Sequence, residues 1–191
     1  MRFLDQHGSG LPGVYEALIT RSYSEFQQIS AEISQLFPTV KQLQLKTPTS
    51  GTKALGVLLR DGTWVRAQEM SEGLLYFLAF AVLRYVSRPA LVLIEEPETG
   101  LHPARIREVA SVLRAVSKQT QVIVATHSPL FINELQADEV SLITRDASTG
   151  THARLLKDTE NFEERSKIYA LGELWLSYAD GTSEGGLVGP H

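Results

Sequence analysis

Residues Leu91 to His102 read LVLIEEPETGLH, and residues Val122 to Ser128 read VIVATHS. Each is an apolar run of strand length that ends abruptly in polar residues. A run that is apolar at every position predicts a parallel strand buried on both faces. Between the two, Pro103 to Lys118 has helical spacing, with Ile106, Val109, Ala110, Leu113 and Val116 on one side. Strand, helix and strand in this order predict a βαβ unit, whose crossover makes the strands parallel neighbours. Glu95 and Glu96 then leave one carboxyl end, and Thr126 and His127 leave the other. Open parallel sheets bind ligands at that edge. The expectation is two acids and a histidine facing one crevice.

The spacing points to a chemistry. A hydrophobic strand that delivers paired acids is the Walker B arrangement of nucleotide hydrolases. Glu95, where an aspartate is commoner, helps hold Mg²⁺ through water, because that ion keeps much of its hydration shell. Glu96 positions and polarises the water that attacks the γ-phosphate. His127, following the neighbouring strand, is placed to bond the γ-phosphate or that water. Taken singly, Glu-Glu-Pro-Glu also fits an acidic, solvated turn, and His127 a cap on the next helix; the pairing one βαβ unit apart favours the site. Upstream, Ser71-Glu72-Gly73 precedes the apolar stretch Leu74 to Leu83. Ser71 suits an N-cap, Glu72 the first turn, and the stretch a helix buried all round. A helix start with a hydroxyl, free N–H groups and a close-approach glycine is an anion site, or simply a capped core helix.

Together, SEG with its helix, LVLIEEPETGLHP and VIVATHS resemble the signature, Walker B, D-loop and His-switch elements of ABC-type ATPases. The wording is most similar to the soluble SMC/RecF-like and OLD-like branch, the AAA_21 or AAA_15 ATPases, since transporter cassettes more often read LSGGQ and DEPTSALD. The resemblance extends over Gly8 to Leu11, Leu36-Phe37-Pro38 and Leu171 to Trp175, nearly the whole chain. The implied fold is α/β: a partial ABC/RecA-like ATPase fold with a parallel βαβ core, a signature helix and an N-terminal helical and β-hairpin segment.

No G-x-x-x-x-G-K-[ST] phosphate loop occurs; Gly51-Thr52-Lys53 has the wrong order and lacks the flanking strand and helix. In the family that loop lies well before the region represented here, so the chain reads as the carboxyl-terminal half of a longer ATPase, inactive without its Walker A lobe. The resemblance implies ATP sandwiched across a dimer of two protomers, in the first instance a homodimer. Ser71 and Gly73 contact ATP held by the partner, while Glu95, Glu96 and His127 act on ATP held by their own protomer. Thr99 to His102 crosses the interface as the D-loop; His102 fits that role and equally a cap on the helix at Pro103. Positioning and charge stabilisation dominate phosphoryl transfer, so loss of the phosphate loop removes binding and turnover.

With 191 residues the chain can bury a sizeable core. A net charge of −4 carries no overall basic signal for nucleic acid. Arg84, Arg88, Arg105, Arg107, Arg114 and Lys118 are candidates for a basic face, although charged positions on helices are usually just solvated. The absence of cysteine excludes disulfides and thiolate metal sites. Neither a signal peptide nor a membrane span is visible, so cytoplasmic residence without a membrane partner is the default.

Pro12 to Leu36 is helical in pattern with a break near Ser22 to Ser24, and Thr39 to Lys46 alternates as a strand. Ala54 to Arg60 and Thr63 to Ala67 flank Asp61-Gly62 as a hairpin. Val140 to Thr144 and Ala153 to Lys157 are strands, Glu160 to Ala170 a short charged helix. This divides the chain into residues 1–67, a helical segment and hairpin; 68–179, the ATPase part; and 180–191, a Gly-rich tail expected to be disordered. Three functions fit: an ATPase module of a DNA-repair or phage-defence complex, with DNA and a nuclease or other effector as partners; a transporter-type cassette; and an assembly scaffold that binds ATP without turnover.

Overall fold

A computed structural model of the chain describes residues 10–47, 53–86, 89–146 and 148–179. Gly8, Thr52, Arg88 and the tail from Asp180 on, to which expectations attach, lie outside the described residues. The chain forms two compact units, Met1–Ile94 with Thr99–Ile123, and Glu95–Glu98 with Val124–His191.

The first unit opens with α1 (Leu11–Arg21) and α2 (Tyr23–Leu36). The expected break falls at Ser22, whose extended backbone (φ −154°) caps α1 and starts α2. Helix α2 presents Phe26, Ile29 and Ile33 at helical spacing and buries all three. A three-stranded antiparallel sheet follows in the order β1 (Val40–Lys46), β2 (Ala54–Leu59), β3 (Trp64–Arg66). The β2–β3 hairpin turns at Asp61-Gly62: Gly62 takes φ +91°, and the Asp61 carboxylate accepts from Thr63 N–H at 2.8 Å. Two α2 serines meet the edge strand β1. Ser30 Oγ accepts from Leu43 N–H at 2.9 Å, and Ser34 Oγ donates to the Val40 carbonyl at 3.1 Å.

Helix α3 (Glu72–Leu83) packs on α1 and on α4 (Ile106–Ser117). The Tyr15 hydroxyl donates to the Leu78 carbonyl at 2.9 Å in full burial, and burial drives its pKa far above the usual phenol value. At the end of α3 the Arg84 guanidinium grips both oxygens of Glu32 on α2, one through a 3.0 Å bond. Arg84 is therefore committed to structure rather than to a basic face. The expectation that α3 is buried all round is corrected: Leu74, Phe77, Leu78, Ala81 and Val82 are enclosed, whereas Leu75, Ala79 and Phe80 are half-buried and Tyr76 is exposed. Two neighbouring helices cover one side of an apolar cylinder and leave the other open. Helix α4 buries all five predicted positions and Val112 besides.

Strands β4 (Leu91–Glu95) and β5 (Gln121–Ala125) pair as a two-stranded sheet on either side of α4 in sequence. Ala90 accepts from Gln121 N–H at 3.3 Å where they begin, and Ala125 accepts from Glu96 N–H at 2.8 Å where they end, so they run parallel. The βαβ expectation holds; burial on both faces does not. Leu91, Leu93 and Ile123 are 42%, 68% and 49% exposed, while the alternate positions are half-buried. Uniform apolarity here marks two faces fit for burial, only one of which is covered among the described residues.

The second unit pairs β6 (Ser141–Asp146) with β7 (Gly150–Leu155) in register from Ser141↔Leu155 to Asp146↔Gly150. Helices α5 (Pro129–Ile132), α6 (Phe162–Arg165) and α7 (Leu171–Ala179) complete it. Helix α6 is one turn, shorter than the charged helix expected over Glu160 to Ala170, because only Phe162 offers it an apolar anchor. Ile132, Val140, Leu142, Leu156 and Leu174 form the core of this unit.

Candidate functional site

The carboxyl ends of β4 and β5 meet in the second unit as a hydrogen-bonded cluster. Strand β4 ends at Glu95, and Glu96 precedes Pro97, whose ring disfavours right-handed helical backbone in its predecessor. The chain turns there through a left-handed conformation, φ 46°, which a glutamate rarely adopts. The turn is held from β5. Glu96 N–H donates to the Ala125 carbonyl at 2.8 Å, and a Glu96 carboxylate oxygen accepts from His127 N–H at 3.1 Å. The pair predicted to carry the chemistry is thus joined, through the histidine's backbone rather than its ring. The ring lies against Trp175 of α7, centroids 6.3 Å apart, and remains exposed.

Glu98 belongs to this cluster, although sequence reading singled out only the two preceding acids. Its Oε1 accepts from the Thr126 hydroxyl, and Thr126 Oγ1 in turn accepts from Ser128 N–H at 3.0 Å. Its Oε2 is enclosed and meets no donor. Burial raises the Glu98 pKa above the usual carboxylate range. The Thr126 hydroxyl opposes that shift, and the adjoining Glu96 carboxyl adds to it. The signal available in sequence was the repeat E-E-P-E, in which the proline turn brings the third acid back toward the second.

Glu95 stands apart. It lies at the end of β4 on the exposed side of Leu91 and Leu93, without a hydrogen-bond or ion-pair partner among the described residues. Mg²⁺ favours one or two carboxylates plus phosphate and water over an all-protein cage. No cluster of three or more acidic, His or Cys side chains arranged to hold a metal occurs among the described residues. A free carboxylate at Glu95 suits an ion held in that partial manner.

The first unit carries the remaining predicted residues around a hollow of about 460 Å³, lined by Phe37, Ser71, Gly73, Gly100, His102 and Arg105 among others. Ser71 caps α3, its Oγ accepting from Leu74 N–H at 3.4 Å, with its hydroxyl proton left to donate. Gly73 packs so closely on the turn at Gly100 that an added Cβ would stand 2.6 Å from the Gly100 carbonyl oxygen. Gly100 itself takes φ +73°, with the Glu72 side chain over it. Thr99 is exposed beside it. His102 fills the cap role: its Nδ1 accepts from Ala104 N–H at 3.2 Å, which fixes the proton on Nε2 when the ring is neutral. Arg105 lies over the Phe37 ring at 5.4 Å.

The family described as "AAA domain, putative AbiEii toxin, Type IV TA system" matches residues 3–133, more than half of the chain. No curated protein matches it significantly. Solved structures do. One comes from work on ATP-driven dimerization and DNA stimulated activation of SMC ATPases. It is 19% identical with a TM-score of 0.53, over 81% of this chain and 94% of that one. An Smc head bound to the C-winged helix domain of ScpA is 21% identical with a TM-score of 0.54, over 83% and 51%. The Smc head domain with a coiled coil and joint from Pyrococcus yayanosii is 18% identical with a TM-score of 0.55, over 85% and 31%. The chain therefore spans nearly the whole of the first and about half or less of the other two. At these identities the likeness is one of fold.

Proposed function

The chain belongs to the AAA_21 family and has the fold of SMC-type ATPase heads, and from there we propose that it is the signature and Walker B part of an ABC-type ATPase that hydrolyses ATP at a dimer interface. The observation that carries the reading is the junction of Glu96 with His127 at the paired carboxyl ends of β4 and β5. In this reading Glu96 orients the attacking water and accepts its proton, Glu95 holds hydrated Mg²⁺, and the His127 ring donates toward the γ-phosphate. Ser71, Gly73, Thr99 and His102 form the face that closes over ATP held by the second protomer. The magnesium ion supplies charge neutralisation on the phosphates; water activation stays with Glu96.

The exposed side of Leu91, Leu93 and Ile123 supports a further part of the proposal. It is the face on which the lobe carrying the phosphate loop packs, and α1 and α2 brace the signature helix from within this chain. No helix among the described residues is long and apolar enough to cross a membrane. A DNA-repair or phage-defence setting draws on the SMC relatives' DNA-stimulated activation and on the family's toxin description. Among candidates for direct DNA contact, Arg84 is paired with Glu32, Arg107 and Arg114 have partners of their own, and Arg105 lies over Phe37.

The test is Mg²⁺-ATP hydrolysis by this chain alone and by the chain joined to a phosphate-loop lobe, each with and without Glu96→Gln. Turnover only in the completed protein, lost by a factor on the order of a thousand in Glu96→Gln with an ATP-stabilised dimer accumulating, is the expected result. Turnover by the chain alone, indifferent to Glu96, overturns the assignment.

A further inference from the structure

We infer that Glu98 is a positioning residue of the hydrolytic site, tying the end of β4 to the end of β5 through the Thr126 hydroxyl and so fixing the turn that carries Glu96. The inference rests on the reading of Glu96 given above and adds a residue to that site.

Three observations converge on it. First, Glu96 occupies a left-handed backbone conformation, which persists only where surrounding contacts enforce it. The bonds available for this are the two from β5 to Glu96 itself, at Ala125 and His127, and the Thr126–Glu98 bond. Second, that third bond belongs to a chain: Ser128 N–H donates to Thr126 Oγ1, and the Thr126 hydroxyl donates to Glu98 Oε1. Glu98 thereby clamps the turn that begins at Glu96, with buried Pro97 between them. Third, Glu98 Oε2 is enclosed as well, so the side chain is held in this geometry and does not turn out to solvent.

The clamp serves the reaction because a base whose turn is tied to the neighbouring strand on both sides, and whose carboxylate is held on His127 N–H, loses little entropy on reaching the attacking geometry. Thr126 has no spare role: its oxygen accepts from Ser128 while its proton goes to Glu98.

Glutamine is the discriminating substitution, since it keeps an oxygen for the Thr126 hydroxyl and removes the charge. In the completed ATPase, Glu98→Gln is expected to keep kcat within about threefold of the unsubstituted protein, whereas Glu98→Ala lowers kcat by on the order of tenfold to a hundredfold with KM for Mg²⁺-ATP unchanged. Loss of kcat in both variants alike means that the carboxylate charge itself is needed, as for a metal ligand, and overturns the inference. Full activity in Glu98→Ala overturns it too.

A second readout uses this chain alone. Trp175 lies against the His127 ring, so in a Trp64→Phe background its fluorescence reports on the cluster. The Trp175 emission maximum is expected to move in Glu98→Ala and to stay in Glu98→Gln; an unmoved maximum in both counts against the clamp. If the completed protein does not turn over ATP, the hydrolytic reading fails and this inference with it. If it turns over ATP through Glu96 while Glu98→Ala is silent in both assays, only this inference fails.

Discussion

Glu96, Glu98 and Gly73 show how single residues carry more than one duty. Glu96 is legible in sequence as the second acid after an apolar strand; its left-handed backbone and its bond to His127 N–H are not, because they depend on where β5 ends. Glu98 has a consequence for stability as well as for the site. Its pKa is raised in the folded chain, so between the ordinary carboxylate range and the raised value the folded state holds more proton than the unfolded state. Stability must then fall as pH rises through that window. Denaturant midpoints of Glu98→Gln and the unsubstituted chain are expected to agree at low pH and to diverge above it, with the glutamine chain the more stable; parallel curves at every pH contradict the shift. Gly73 reads in sequence as a glycine for close approach of a ligand, yet the neighbour that forbids a side chain is the Gly100 carbonyl, 2.6 Å from where a Cβ would stand. Gly73→Ala is expected to lose about 1–3 kcal/mol in urea unfolding. A loss below about 0.5 kcal/mol means that the Gly100 turn yields freely.

Elements followed their local signals wherever a periodic face found a partner. The α4 stripe, the break at Ser22 and the Asp61-Gly62 hairpin need only spacing, a capping residue and a positive-φ glycine, and all three stand where expected. The helix expected over Glu160 to Ala170 shrank to a single turn because its charged residues bring no apolar stripe to bury. Leu171 to Trp175 entered the sequence reading only through the family resemblance; in the structure it opens α7, which docks on α5. Gly172 N–H donates to Asn133 Oδ1 at 2.7 Å, and a Cβ at Gly172 would lie 2.2 Å from the Pro129 carbonyl oxygen. That contact also sets Trp175 against His127. Gly172→Ala should therefore cost about 2 kcal/mol by overpacking and shift the Trp175 emission maximum. An unchanged spectrum would show that α7 holds its place without this close approach.

At the scale of the whole molecule the telling feature is an apolar sheet face left open. Leu93 is 68% exposed in a strand whose composition is that of a buried one. Leu93→Glu is expected to leave the melting temperature of this chain within about 2 °C, since exposed positions rarely shift stability by more than about 0.5 kcal/mol. Association with a separately supplied phosphate-loop lobe, followed by gel filtration, should be abolished by the same substitution. Undiminished association would place that lobe on another surface. The amino-acid order by itself determined the βαβ unit, the caps, the hairpin and the acids at the strand end, because hydrophobic period, proline and glycine act over a few residues. Tertiary structure alone decided that Glu98 meets Thr126, that Gly73 must admit Gly100, and that Trp175 meets His127, because each contact joins segments distant in sequence. It also decided which sides of α3 and β4 stay open, since burial depends on what packs against an element and not on its own composition.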